Sequence, residues 1–97
     1  MTLSQILQKE NKTIIDVREP FEFQMSHVPG AINMPMGSIT SRISEIRLMP
    51  GPIIVYCASG NRSDMAMRLL LNMDVMDVYD GGSRKNVLTS LSPSLTH

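Results

Sequence analysis

The sequence predicts an α/β fold with a mainly parallel central sheet flanked by helices. Apolar runs of strand length alternate with segments whose apolar residues recur every three or four positions, and frequent Gly and Pro signals separate them. Strands that alternate with helices form parallel sheets, because each helix returns the chain across one face of the sheet. We expect a single domain over residues 1–97, since a chain of this length builds one core, with a frayed tail from about residue 92.

The first half of the chain predicts four short elements. A capped helical turn, a buried strand, a short helix and a second strand are expected over residues 3–7, 13–17, 21–26 and 31–34. Thr2 can cap the first helix through its hydroxyl. The β-branched and apolar residues of 13–17 are typical of a strand that is covered on both faces. Pro20 stands at the first position of the next helix, where a missing N–H costs nothing.

The second half predicts two helices, two strands and a weak C-terminal helix. The elements are expected, in chain order, over residues 39–46, 52–56, about 62–73, 75–79 and 83–91. Ile39, Ile43 and Ile46 recur at helical spacing and place one apolar stripe on the first of these helices, and residues 66–73 repeat that spacing. Gly81-Gly82 is expected to turn the chain into the last helix.

The composition argues against several classes of function. Nine basic and nine acidic residues cancel, and no run of like charge forms the basic face that nucleic-acid binding requires. No apolar stretch is long enough to span a bilayer and residues 1–12 lack a signal-peptide core, so we expect a cytoplasmic protein with no membrane partner. One Cys and two distant His predict no metal site, and the nine Met are expected to pack the core.

The candidate reactive residue is Cys57, the only cysteine. It follows the most clearly predicted strand, and ligands of open α/β sheets bind beyond the carboxyl ends of the strands. A helix begins about five residues later, so its unpaired N–H groups and the positive end of its dipole face the same place. Such surroundings lower the pKa of a thiol and favour the nucleophilic thiolate. We therefore predict that Cys57 is catalytic and that the next six residues form a substrate-binding loop. These residues are Ala58, Ser59, Gly60, Asn61, Arg62 and Ser63.

Along most of its length the chain resembles the family of rhodanese-like single-domain sulfurtransferases. The fragments that carry the likeness, in family order and at family spacing, read IDVREP from residue 15, EF from 22, HVPGAIN from 27, IVYC from 54, SGNRS from 59 and GG from 81. The resemblance implies a rhodanese-like three-layer fold with a central, mainly parallel five-stranded sheet flanked by helices. It also places Asp16 and Arg18 near the active loop, and we expect these two residues to support it by holding strand ends and loop together.

The resemblance implies a two-step reaction that needs no metal or organic cofactor. The Cys57 thiolate takes the outer sulfur of a small-molecule donor such as thiosulfate and becomes a persulfide. The persulfide then passes this sulfur to a thiophilic acceptor, which is cyanide, a thiol or a protein. Because the chain has no second cysteine to resolve the persulfide, the acceptor must come from outside.

Three other interpretations compete with sulfur transfer at this stage. Phosphatases and arsenate reductases that use a cysteine need five residues between Cys and Arg, whereas four separate Cys57 from Arg62, and the tighter ring suits a sulfur atom attached to the cysteine. A non-catalytic or regulatory rhodanese domain that binds a protein partner is the second, although such members often lose the nucleophile. An inert buried thiol is the third.

Several residues around the loop have two interpretations each. Arg62 can bind the substrate anion, or it can brace the loop through a salt bridge to Glu19 or Glu22, and we favour the brace. Ser63 can cap the helix or touch the substrate. His27 can act as a base, but a hydrogen bond that fixes the turn after it is the favoured role.

Two positions depart from the family pattern. Ala58 stands where many thiosulfate-using members have a basic residue, and less positive charge there would weaken the attraction for dianionic thiosulfate. Asp74 stands where the family usually has a helix-ending Gly. Since Asp tolerates the left-handed conformation better than most residues, we expect the helix cap to survive.

Overall fold

The computed structural model of the protein describes residues 1–91, so the predicted frayed tail lies outside the described residues. The helices are α1 (Leu3–Leu7), α2 (Pro20–Met25), α3 (Ile43–Leu48), α4 (Asn61–Asn72) and α5 (Arg84–Leu91). The strands are β1 (Thr13–Asp16), β2 (Ile32–Asn33), β3 (Ile53–Cys57) and β4 (Val78–Ser83). Two 3-10 turns, Met36–Ser38 and Thr40–Arg42, precede α3. The second of them occupies the start of the predicted 39–46 helix, so α3 begins only at Ile43.

The strands form one parallel sheet in the order β2-β1-β3-β4. Strands β1 and β3 lie in the middle and are buried along their whole length, which is why their residues are apolar or β-branched without alternation. The predicted α/β class with a parallel sheet is confirmed. The carboxyl ends of all four strands meet at one edge of the sheet, which is where ligands bind in such folds.

The sheet has four strands within residues 1–91, and the five strands implied by the family resemblance are wrong. Only four segments have a strand pattern, and the segment ahead of β1 folds as α1. The Thr2 hydroxyl accepts a hydrogen bond from the Gln5 amide at 3.2 Å, and the Gln5 side chain accepts one from the Thr2 amide at 2.9 Å. Because Ile6 and Leu7 of α1 are buried in one cluster with Val87 of α5, this segment belongs to a helical layer and cannot extend the sheet.

Two apolar clusters cover the two faces of the sheet and complete the three layers. Successive residues of a strand point to opposite faces. Ile54 and Tyr56 of β3 therefore pack in the cluster that includes α1 and α5, whereas Val55 and Cys57 pack in the cluster that includes α3 and α4. Cys57 thus belongs to the apolar core, and as the last residue of β3 it also lies at the edge of the sheet where ligands bind.

The last strand begins three residues later than predicted, at Val78 instead of residue 75. Asp74 adopts a left-handed backbone with φ of +65°, as expected for the helix cap. This conformation lets the amide of Val75 donate to the carbonyl of Leu70 at 2.9 Å. Val75 therefore completes the end of α4 and cannot begin β4.

The double glycine lies within β4, and the turn predicted there is wrong. The register of β4 against β3 shifts by one residue between Asp80 and Gly82, so Gly81 is the extra residue of a β-bulge. A Cβ atom at Gly81 would lie 2.7 Å from Val87 Cγ2 and 3.0 Å from Ile54 Cγ2. Only glycine fits at this position, because α5 packs directly on the bulge.

Candidate active site

Cys57 is the last residue of β3, and its side chain is completely buried. The loop that follows folds back over the sulfur. The amide of Gly60 donates to Sγ at 2.9 Å, and the amide of Ser63 donates to it at 3.3 Å. The predicted loop amides therefore converge on the sulfur atom itself.

The pKa of the Cys57 thiol lies below the ordinary value for cysteine. Burial alone would raise this pKa, since it disfavours the charged form. Hydrogen bonds to the sulfur from the Ser63 side chain and from the amides of Ser63, Gly60 and Ser59 lower it by more than burial raises it. The loop thus favours the thiolate, which is the nucleophilic form.

Gly60 shapes the loop through an unusual backbone conformation. It is the N-cap residue of α4 and has φ of +102°, a region that side chains rarely adopt. A Cβ atom built on it would lie 3.7 Å from the Cα of Gly82, so the loop rests on the end of β4. This conformation points the Gly60 amide at the sulfur.

Ser63 both ties the loop to β4 and contacts the sulfur. Its buried hydroxyl lies 2.7 Å from Asp80 Oδ1 and 3.6 Å from Cys57 Sγ. The Asp80 carboxylate also accepts the Gly82 amide at 2.8 Å. A hydroxyl has one proton, so donation to Asp80 and donation to a thiolate are alternatives, and the two backbone amides are the permanent donors to the sulfur. Asp80 could not be predicted from the sequence, because an acidic residue in a strand gives no signal until its strand is placed beside the loop.

Asp16 and Arg18 form a buried ion pair at the end of β1. Arg18 Nη2 lies 2.7 Å from Asp16 Oδ2, and the side-chain exposures are 7% for Arg18 and 0% for Asp16. Arg18 Nη2 also donates to the carbonyl of Ser26 at 2.6 Å. The side-chain amide of Asn33 donates to the backbone carbonyls of both Asp16 and Arg18. The pair therefore joins the end of β1 to the segment after α2, and Asn33 links β2 to the backbone of both residues. Their support of the active loop stays a prediction.

Arg62 pairs with Glu22 of α2 through two hydrogen bonds, of 2.8 and 3.0 Å. This is the favoured brace, with Glu22 and not Glu19 as the partner. The hydrogen bonds from Arg62 hold the pKa of Glu22 down at about 2. The brace fixes the start of α4 against α2.

The other predicted loop residues offer little side-chain chemistry. Ala58, Ser59 and Asn61 are exposed, and Asn61 is the first residue of α4. His27 Nδ1 lies 2.9 Å from the carbonyl of Phe23, and the two rings stack with centroids 3.8 Å apart. The expected hydrogen bond of His27 is therefore present, but it caps the end of α2 instead of fixing the turn that follows.

A cavity of about 320 Å³ opens beside the loop at the carboxyl edge of the sheet. It is lined by Arg18, Glu22, Met25, Ser26, Ala58, Arg84 and Lys85.

Within residues 1–91 no three His, Cys, Asp or Glu side chains are grouped closely enough to hold a metal ion. None of the five helices in that part of the chain is long and apolar enough to cross a bilayer.

The geometry fits the class of enzymes that carry a group on a cysteine thiolate. The family model described as "rhodanese-like domain" matches residues 2–86 of the chain. The chain is 35% identical over 81 residues to the thiosulfate sulfurtransferase GlpE of Pseudomonas syringae, which covers 81% of this chain and 76% of GlpE. It is 35% identical over 74 residues to the thiosulfate sulfurtransferase PspE of Escherichia coli, which covers 75% of this chain and 71% of PspE.

A solved structure described as a rhodanese with anions from E. coli superposes with a TM-score of 0.68 and 34% identity. The superposition covers 77% of this chain and 89% of that one. The chain therefore belongs to the rhodanese-like domain family, and it is a rhodanese-type sulfurtransferase. The family resemblance found in the sequence is confirmed, and the phosphatase interpretation is set aside.

Proposed function

We propose that the protein moves sulfane sulfur from a donor such as thiosulfate to a thiophilic acceptor through a persulfide on Cys57. The observation that carries this proposal is the pair of loop amides that donate to the Cys57 sulfur. The relatives GlpE and PspE, both named thiosulfate sulfurtransferases, support the choice of donor.

In the first step the Cys57 thiolate attacks the outer sulfur of thiosulfate. A new sulfur–sulfur bond forms at Cys57, the sulfur–sulfur bond of thiosulfate breaks, and sulfite leaves with the electron pair. The step conserves charge, since a thiolate and a dianion become a persulfide anion and a dianion. The amides of Gly60 and Ser63 keep Cys57 ionised before the attack.

In the second step an external nucleophile attacks the outer sulfur of the persulfide. Cyanide, a thiol or a protein thiolate takes this sulfur, and the Cys57 thiolate leaves with the electron pair. A thiolate with a low pKa is a good leaving group, so the same loop amides assist both steps. The acceptor comes from outside, because Cys57 is the only cysteine in the chain.

Intact-mass measurement of the protein after incubation with thiosulfate tests the proposal. We expect the wild type to gain the mass of one sulfur atom and to lose it on addition of cyanide, and Cys57→Ser to gain nothing. Loading of the Cys57→Ser variant would contradict the assignment of the carrier. If neither thiosulfate nor a persulfide donor loads the wild type, the proposal fails, and the non-catalytic domain that binds a protein partner becomes the better interpretation.

We expect Arg62→Gln and Glu22→Gln to slow persulfide loading in the same direction and to a similar extent. Each substitution breaks the same brace, which is partly exposed and should stabilise the fold by only about 0.5–1 kcal/mol. The measurement is the rate of loading at several thiosulfate concentrations. If Arg62 bound the donor instead, Glu22→Gln would release it and lower the KM, while Arg62→Gln would raise the KM, so opposite shifts would contradict the brace.

A further inference from the structure

The cavity beside the active loop contains two cationic side chains that have no acidic partner within residues 1–91. Arg84 and Lys85 form the start of α5 and line the cavity together with Ala58. None of the salt bridges between described residues involves Arg84 or Lys85. Arg84 is half-buried and Lys85 is exposed, so both cations are available to an ion from solvent.

The register of the sheet explains why these cations lie next to the nucleophile. Cys57 and Ser83 are the last residues of β3 and β4, and their Cα atoms are paired. The residues that follow them, Ala58 and Arg84, therefore leave neighbouring parallel strands that lie about 5 Å apart. Arg84, the first residue after β4, therefore places beside the loop a positive charge that Ala58 lacks.

The remaining charges at the cavity already neutralise each other. Arg18 is paired with the buried Asp16, and Glu22 is paired with Arg62. The uncompensated charge of the cavity is therefore that of Arg84 and Lys85. A concave site lined by one uncompensated sign of charge attracts ions of the opposite sign and raises their local concentration.

We propose that Arg84 and Lys85 are the specificity-determining residues that bind the oxyanion end of a small dianionic sulfur donor. The inference rests on the proposed sulfur transfer through Cys57. The guanidinium group can hold two oxygens of a sulfonate at once, and the ammonium group adds a second point charge. When the donor's sulfur–sulfur bond breaks, the electron pair passes to the departing sulfite, and the same two cations stabilise the charge that collects there.

The test compares two donors that differ in charge on matched variants. Thiosulfate carries two negative charges and the methanethiosulfonate anion carries one, and the rate of persulfide formation with each is followed by intact mass. We expect Arg84→Gln/Lys85→Gln to slow loading from thiosulfate on the order of tenfold and loading from the monoanion by clearly less. The control Lys9→Gln/Lys12→Gln removes the same charge near the opposite end of β1 and should leave both rates unchanged.

Added salt gives a second readout, because it screens exposed charges. The wild-type rate with thiosulfate should fall towards that of the Arg84→Gln/Lys85→Gln variant as salt rises. The single variants take the place of the double variant if its thermal unfolding shows a loss of structure. Equal losses in the site variant and the control, equal losses for the two donors, or no loss at all would each overturn the inference. If the monoanion loads the wild type and thiosulfate does not, this inference fails while sulfur transfer through Cys57 stands.

Discussion

Replacing Asp16 by alanine is expected to lower the free energy of unfolding by about 3–5 kcal/mol, because it leaves a buried guanidinium without its counter-ion. Arg18 is 6% exposed, and its guanidinium donates hydrogen bonds of 2.7 and 3.0 Å to the Asp16 carboxylate. The remaining partner of the guanidinium is the carbonyl of Ser26, which cannot neutralise the charge. Urea denaturation of Asp16→Ala against the wild type measures the loss.

Two controls separate the buried charge from the loss of a salt bridge in general. Arg42 and Glu45 form an exposed pair at 2.9 Å, and Glu45→Ala should cost far less stability than Asp16→Ala. The double substitution Asp16→Ala/Arg18→Met removes both charges and should recover much of the stability lost in Asp16→Ala. A double variant as unstable as Asp16→Ala would show that the hydrogen bonds of Arg18, and not its unpaired charge, account for the loss.

Replacing Gly60 by alanine is expected to raise the pKa of Cys57 towards the free-cysteine value of about 8.5 and to slow sulfur loading roughly tenfold or more. The backbone of Gly60 has φ of +102°, which costs a residue with a Cβ about 1–2 kcal/mol. Relief of this strain turns the amide away from Sγ, to which it now donates at 2.9 Å. The thiolate then loses its shortest hydrogen bond.

The pH dependence of alkylation by iodoacetamide measures this pKa, because only the thiolate reacts. The wild-type midpoint should lie below that of the protein unfolded in urea, and the Gly60→Ala midpoint should lie between the two. Gly37→Ala is the matched control, since Gly37 has an ordinary backbone and no atom within 4 Å of an added Cβ. An unchanged midpoint in Gly60→Ala would mean that the amides of other residues are sufficient to ionise the cysteine.

The local signals of the sequence predicted the central strands and the position of Cys57 well. Runs of apolar and β-branched residues located β1 and β3. Both strands are covered on both faces, so their residues are apolar without the alternation of polar and apolar residues that marks a half-exposed strand. The predicted order of strand, loop and helix placed Cys57 at the sheet edge. The apolar spacing of residues 66–73 located α4 to within two residues.

The errors arose where tertiary packing decides between two local choices. Val75 is β-branched and suits a strand, but the left-handed Asp74 assigns it to the end of α4. Gly81-Gly82 suits a turn, but the two residues lie within β4, where Gly81 forms a β-bulge. Because α5 packs closely on this bulge, only a residue without a Cβ fits there. The positions of Asp80 and of the cations on α5 beside the loop were not predicted, because they depend on the register of β4 against β3, which no local pattern contains.

Complete burial of the Cys57 side chain has a consequence for regioselectivity in the proposed cycle. A persulfide has two sulfur atoms that a nucleophile can attack, and the products differ. Attack by a thiol acceptor on the inner atom would expel sulfide, which takes a proton from solvent to become hydrosulfide, and would leave the acceptor joined to the enzyme as a mixed disulfide. Because loop amides contact the inner atom and the loop covers it, we expect the added sulfur to be the more accessible of the two. We expect this difference to favour the productive transfer over the mixed disulfide, which the chain has no second cysteine to resolve.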